Sequence, residues 1–165
     1  MISQVLALGA ADAIGQRVAS DRIAVAGHSD GEVISFGTGF FQCCHDPRVK
    51  AVIAMAGNLG NINENPVLTN LGVPVLHVME TGDEYDPYGP SIEWDRANLP
   101  SPRWMLTLEG ASHVPPYTRA GNAHFEALQG VVVDFFDGTL KGHPERLDRI
   151  AADVDAHRDL MSLER

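Results

Sequence analysis

With 165 residues, 44% of them hydrophobic and 21% charged, the chain is long enough for one domain core and too short for two. A formal charge of −10 repels phosphate backbones and argues against nucleic-acid binding, and no apolar run approaches a membrane span. The two cysteines, Cys43 and Cys44, are adjacent. Neighbours in sequence rarely bridge each other without strain, so they read as reduced, mostly buried residues that hint at a reducing compartment and exclude a disulfide scaffold. The first residues lack the basic stretch and long apolar core of a secretory signal, and the expected compartment is cytoplasmic.

In chain order, residues 3–19 carry Val5, Leu6, Ile14 and Val18 at helical spacing, weakened by Gly9 and Gly15. Ile23 to Ala26 is short, apolar and partly β-branched, which predicts a strand covered on both faces. Residues 31–42 continue as a helix, and "VKAVIAMA", 49–56, is a second buried strand ending at Gly57. The Asn-, Gly- and Pro-rich residues 57–72 predict a loop with a short helical piece. "VPVLHVME", 73–80, and "PRWMLTLEG", 102–110, are the third and fourth strands, with a helix over 91–97 between them. Residues 121–140 place Phe125, Leu128, Val132, Phe135, Phe136 and Leu140 along one helical face. The charged tail, 143–165, reads as a helix with Leu147, Ile150, Val154 and Leu160 as its apolar stripe. Strands alternating with helices predict an α/β fold, about four parallel strands flanked by helices. In such sheets chemistry sits beyond the carboxyl ends of the strands.

The first strand runs into Gly27-His28-Ser29-Asp30-Gly31, a G-x-S-x-G pentapeptide that leaves as a helix. A nucleophile on so sharp a turn occupies a strained backbone, and side chains at the flanking glycines are expected to collide with the neighbouring strand and helix. The helix that follows aims its positive end and free N–H groups at the serine, which favours an anionic intermediate. A serine hydroxyl needs a base, and the base needs an orienting acid. His113 follows the fourth strand in "LEGASHVPP", and Asp83 follows the third in "METGDEYDPY", with Glu80 and Asp86 as nearby competitors. Taken singly, each residue has an ordinary explanation as a surface or turn residue. The order Ser29, Asp83, His113 is that of α/β-hydrolases, and each group stands at a strand's carboxyl end.

The segments "RIAVAGHSDG", "VPVLHVMETGDEYDPY" and "LTLEGASHVPPYT" together resemble the α/β-hydrolase superfamily, nearest to its dienelactone hydrolase, chlorophyllase and platelet-activating-factor acetylhydrolase-like group. Asp83 with Pro87 fits the family's acid motif, with Glu80 in place of a glycine, and Gly110 to His113 fits its base motif. Glu32 stands where many relatives carry a second glycine and is expected to crowd the first turn of the helix. The resemblance spans about residues 20–145 of the chain, read as one partial domain over 1–165. It implies hydrolysis of small carboxylic esters through an acyl-enzyme, with no metal and no cofactor. Ser29 is then the nucleophile, Asp83 and His113 complete the triad, and the N–H of Asp30 is one oxyanion donor. Tyr85, Tyr88, Trp94 and Tyr117 are candidates for lining an acyl pocket, with packing as an equal explanation.

By the same resemblance the nucleophile follows the fifth strand of eight, so the first strands, and the loop that supplies the second oxyanion donor, are expected to be missing. Three explanations stand in order: a fragment of a longer product, edge-to-edge pairing of two copies through the exposed strand, or a decayed relative with a binding role. The alternative function is therefore a non-catalytic fragment, or an oligomerising or binding module, that retains the triad residues without a complete oxyanion hole.

Overall fold

Five strands form a single sheet in the order β1-β2-β3-β4-β5. The computed structural model describes residues 2–9, 11–57, 59, 67–69, 72–85 and 89–165. Strands β1 (Ile23–His28), β2 (Val49–Met55), β3 (Val75–Glu80) and β4 (Arg103–Leu108) run parallel, and β5 (Met161–Glu164) pairs antiparallel with β4. All six residues of β3 are buried, as a central parallel strand covered on both faces requires.

Alternate side chains of each strand feed two cores. Ala51 and Ile53 of β2, Leu76 and Val78 of β3, and Trp104, Leu106 and Leu108 of β4 share one face. There they meet helices α5 (Ala123–Leu140) and α6 (Glu145–Ala156) through Leu128, Val131, Phe135 and Ile150. The opposite face carries Val52, Ala54, Val75, Met79 and Met105 against α2 (Asp30–Phe40) and α3 (Pro90–Asn98). Asn122 starts α5 by accepting a hydrogen bond from the Phe125 N–H at 3.2 Å. Gly138 lets α6 approach closely, since a Cβ there would stand 2.5 Å from Leu147 Cγ. No helix among the described residues is long and apolar enough to cross a membrane.

Several expectations need correction. The tail is not one helix: α6 ends at Ala156 and the chain returns as β5. The amino-terminal helix shrinks to α1 (Ile2–Leu6) and a single 3-10 turn at Gly15–Arg17, with the weak formers Gly9 and Gly15 between and beside them. A short helix, α4 (Pro115–Thr118), follows His113. Strand β1 was expected to be covered on both faces. It is instead only half-buried along most of its length, and it stands at the edge of the sheet beside an open groove of about 980 Å³ lined by Leu6, Ile23, Val25, Ile34 and Arg48. Cys43 and Cys44 lie exposed in the turn after α2 and are joined to each other in a disulfide, neither buried nor reduced. Their turn faces solvent, so no core packs them in the way their apolar character led one to expect. Much of the expected 57–72 loop lies outside the described residues.

Candidate active site

Three loops leave the carboxyl ends of β1, β3 and β4 side by side. At the first, the chain turns at Ser29 with φ 58° and ψ −126°, a backbone conformation that side-chain-bearing residues rarely adopt. The turn is held from outside: the Ser29 N–H donates to the Met55 carbonyl at the end of β2 (2.9 Å), and the Ser29 carbonyl accepts from the Glu32 N–H (2.8 Å). Gly27 is obligatory here, because a Cβ would meet the Gly31 carbonyl oxygen at 1.8 Å. The matching expectation for Gly31 fails, since a Cβ there meets nothing within 4 Å. Gly31 opens onto the groove beside β1, where no neighbouring strand stands among the described residues. Asp30 is the first residue of α2, so its N–H has no carbonyl partner within the helix and faces outward from the amino-terminal end.

The second and third loops are clamped together. The Gly82 N–H donates to the Ala111 carbonyl (3.0 Å) and the Gly110 N–H to Thr81 Oγ1 (2.7 Å). Gly82 permits that approach, as a Cβ would lie 2.9 Å from the Ala111 oxygen, and Gly110 takes φ +67° in its turn. Asp83 and His113 thereby meet: Nδ1–H of His113 donates to Asp83 Oδ2 at 2.6 Å. The other carboxylate oxygen, Oδ1, accepts the Tyr85 N–H at 2.8 Å. Both side chains are nearly buried, 2% exposed for Asp83 and 9% for His113. This bond fixes the protonated ring nitrogen as Nδ1 and leaves Nε2 as the basic one. Asp83 is the carboxylate that bonds the His113 ring, while Glu84 Oε2 accepts the His113 backbone N–H at 3.2 Å. Glu80 is buried at the end of β3, and Asp86 lies outside the described residues.

The Ser29 loop reaches His113 through its neighbour. Nε2–H of His28 donates to the His113 carbonyl at 2.7 Å, and the two imidazoles lie 4.7 Å apart between centroids. Among the described contacts the Ser29 hydroxyl makes no hydrogen bond to His113. The structure thus joins Asp83 to His113 and brings the Ser29 turn against them without closing the last link. Tyr117 stands 5.0 Å from His28, and Tyr85 packs edge-on to His113 at 5.1 Å. Trp94 packs instead against the α2/α3 core, and Tyr88 is outside the described residues.

Two features escaped the sequence reading. His28, the first of the two unspecified positions inside the pentapeptide, is the strut between two loops. Beneath the turn, Glu32, His77 and Asp95 form a fully buried group, with His77 Nε2 at 3.1 Å from Glu32 Oε1 and 3.6 Å from Asp95 Oδ2. Glu32 does not crowd the helix as expected, because Gly57 makes room for it. A Cβ on Gly57 would fall 3.2 Å from Glu32 Cδ. Burial works against a charged His77 ring, but Glu32 and then Asp95 outweigh it and hold its pKa above the ordinary imidazole value. The Gly57 carbonyl adds to this, although Nδ1 makes no hydrogen bond of good geometry. A histidine inside the apolar run "VPVLHVME" and a glutamate opening "GEVISF" were the available signals.

Compared with known proteins, the chain matches no family model and no curated protein.

Proposed function

We propose that this chain is a serine hydrolase of carboxylic esters, its sheet corresponding to the carboxyl-terminal part of an α/β-hydrolase. The observation that carries the reading is the 2.6 Å bond between His113 Nδ1 and Asp83 Oδ2, made beside a serine held at positive φ on a strand-to-helix turn. An imidazole oriented in this way presents Nε2 as a base. Ser29 Oγ attacks the ester carbonyl as His113 takes its proton, and the imidazolium then delivers that proton to the departing alkoxide. Asp83 holds the ring's tautomer and stabilises its charged form. Water attacks the acyl-serine by the same route in reverse. The Asp30 N–H, at the positive end of α2, receives the developing oxyanion. The serine–histidine link of a free hydrolytic site is commonly long and tightens when substrate binds, so its absence here is compatible with this mechanism.

Hydrolysis of short p-nitrophenyl esters tests the proposal. Ser29→Ala should abolish turnover in a folded preparation; turnover unchanged by that substitution rejects the assignment.

One observation favours a second reading, a binding or oligomerising module. Edge strand β1 leaves Ile23 and Val25 half-exposed along an open groove, and unpaired strand edges invite pairing with another chain. A folded chain that hydrolyses no ester and self-associates would move the weight to this reading.

A further inference from the structure

Glu32, His77 and Asp95 come from three different elements, α2, β3 and α3, and none of the three exposes any surface. One donor atom from each lies within 4.8 Å of the other two. The geometry points to a divalent-cation site at this junction, with Zn2+ as the ion that its one imidazole and two carboxylates suit. The inference does not rest on the hydrolase reading.

Distance is the first support. Ligand atoms on a tetrahedral ion with bonds of about 2.0–2.2 Å sit roughly 3.3–3.6 Å apart. The separations from His77 Nε2, 3.1 and 3.6 Å, lie close to that range, and all three donor atoms lie within 4.8 Å of one another. An unused donor is the second. Glu32 Oε2 is buried and makes no hydrogen bond among the described residues, so it can serve as a ligand without giving up a partner. Charge is the third. Two carboxylates, Glu32 and Asp95, face the one imidazole of His77. Within this buried trio a singly charged imidazolium offsets one carboxylate and leaves one negative charge in excess, whereas a divalent ion with a neutral imidazole balances both. The surroundings keep water out: the Phe36 ring packs edge-on to His77 at 5.5 Å. Asp95 is further held by the Leu59 N–H on Oδ1, at 3.3 Å, which leaves Oδ2 directed at the ring.

An ion here ties the first turn of α2, and with it the Ser29 turn, to the centre of the sheet. Its role is structural, and its ligands are spaced far apart in sequence, so binding adds to folding stability.

The test uses the full chain and Zn2+ alone. Protein expressed in Zn2+-supplemented medium, and chelator-treated folded protein re-equilibrated with Zn2+, are passed through gel filtration and assayed for metal and melting temperature. About one Zn2+ per chain should be retained, with a raised melting temperature relative to the stripped protein. His77→Gln and Asp95→Asn should each weaken binding at least about tenfold, and His143→Gln, a solvent-exposed histidine beside Glu145, should not. Two results overturn the site: wild-type protein that retains no Zn2+ by either route, or undiminished affinity in both variants. Where the variants do not fold, the wild-type metal content and melting shift decide alone.

Discussion

Among the described residues two buried histidines are paired with carboxylates, and they sit in opposite situations. His113 meets Asp83 at the tips of two loops, beyond the carboxyl ends of β3 and β4, with a sliver of the ring open to solvent. His77 meets Glu32 and Asp95 in the middle of the molecule, with nothing exposed. The chemistry of the groups is nearly the same, so location decides what each can do. A ring at a loop tip can exchange a proton with an incoming molecule. A sealed ring cannot, and its carboxylates can only hold structure or an ion. Loops carry function because a rigid sheet beneath them absorbs the cost of ordering, and here the sealed cluster is part of that sheet's attachment to α2.

Substitutions should separate the two pairs. The largest expected effect is at the loop tips: Asp83→Asn should lower ester turnover by about 10⁴-fold, because the ring would lose its tautomer control. The same variant should unfold in urea within about 1 kcal/mol of the parent, since Oδ1 still accepts the Tyr85 N–H. Comparable losses in turnover and stability would erase the distinction. The sealed pair should behave in the reverse way. Glu32→Ala takes the nearer carboxylate from the buried His77 ring and should cost about 3–5 kcal/mol by urea denaturation. A cost below about 1 kcal/mol would mean that the cluster contributes little to holding α2 on the sheet.

A smaller effect should divide the two glycines of the pentapeptide. Gly27→Ala drives a methyl into the Gly31 carbonyl and should destabilise by about 1–3 kcal/mol, reported as a lowered melting temperature. Gly31→Ala, with open space around it and a helical position, should be neutral or stabilise by up to about 1 kcal/mol. Equal penalties at both positions would contradict the one-sided packing of the turn.

The contrast also explains what could be read from the sequence. Strands β1 to β4 were legible because each is a short apolar, β-branched run punctuated by Gly or Pro, and the helices between them carry the helical period. The chain order of Ser29, Asp83 and His113 followed from where those runs end. Strand β5 was not legible. "MSLE" offers two apolar residues in alternation, and a stripe that short fits a helix as well as a strand. The half-covered faces of β1 were not legible, since its residues are those of a covered strand, while its place at a sheet edge was expected from the resemblance alone. The sealed cluster was out of reach for a different reason. Glu32, His77 and Asp95 are brought together by tertiary packing alone, and no spacing between them announces it.

In the proposed mechanism Ser29 is a live nucleophile served by His113. Labelling with a fluorophosphonate, which bonds to activated serines, tests it directly. The wild-type chain should be labelled once, and labelling should vanish in Ser29→Ala and fall sharply in His113→Ala. A well-folded wild-type chain that takes no label, or one whose label persists after Ser29→Ala, would contradict the claim.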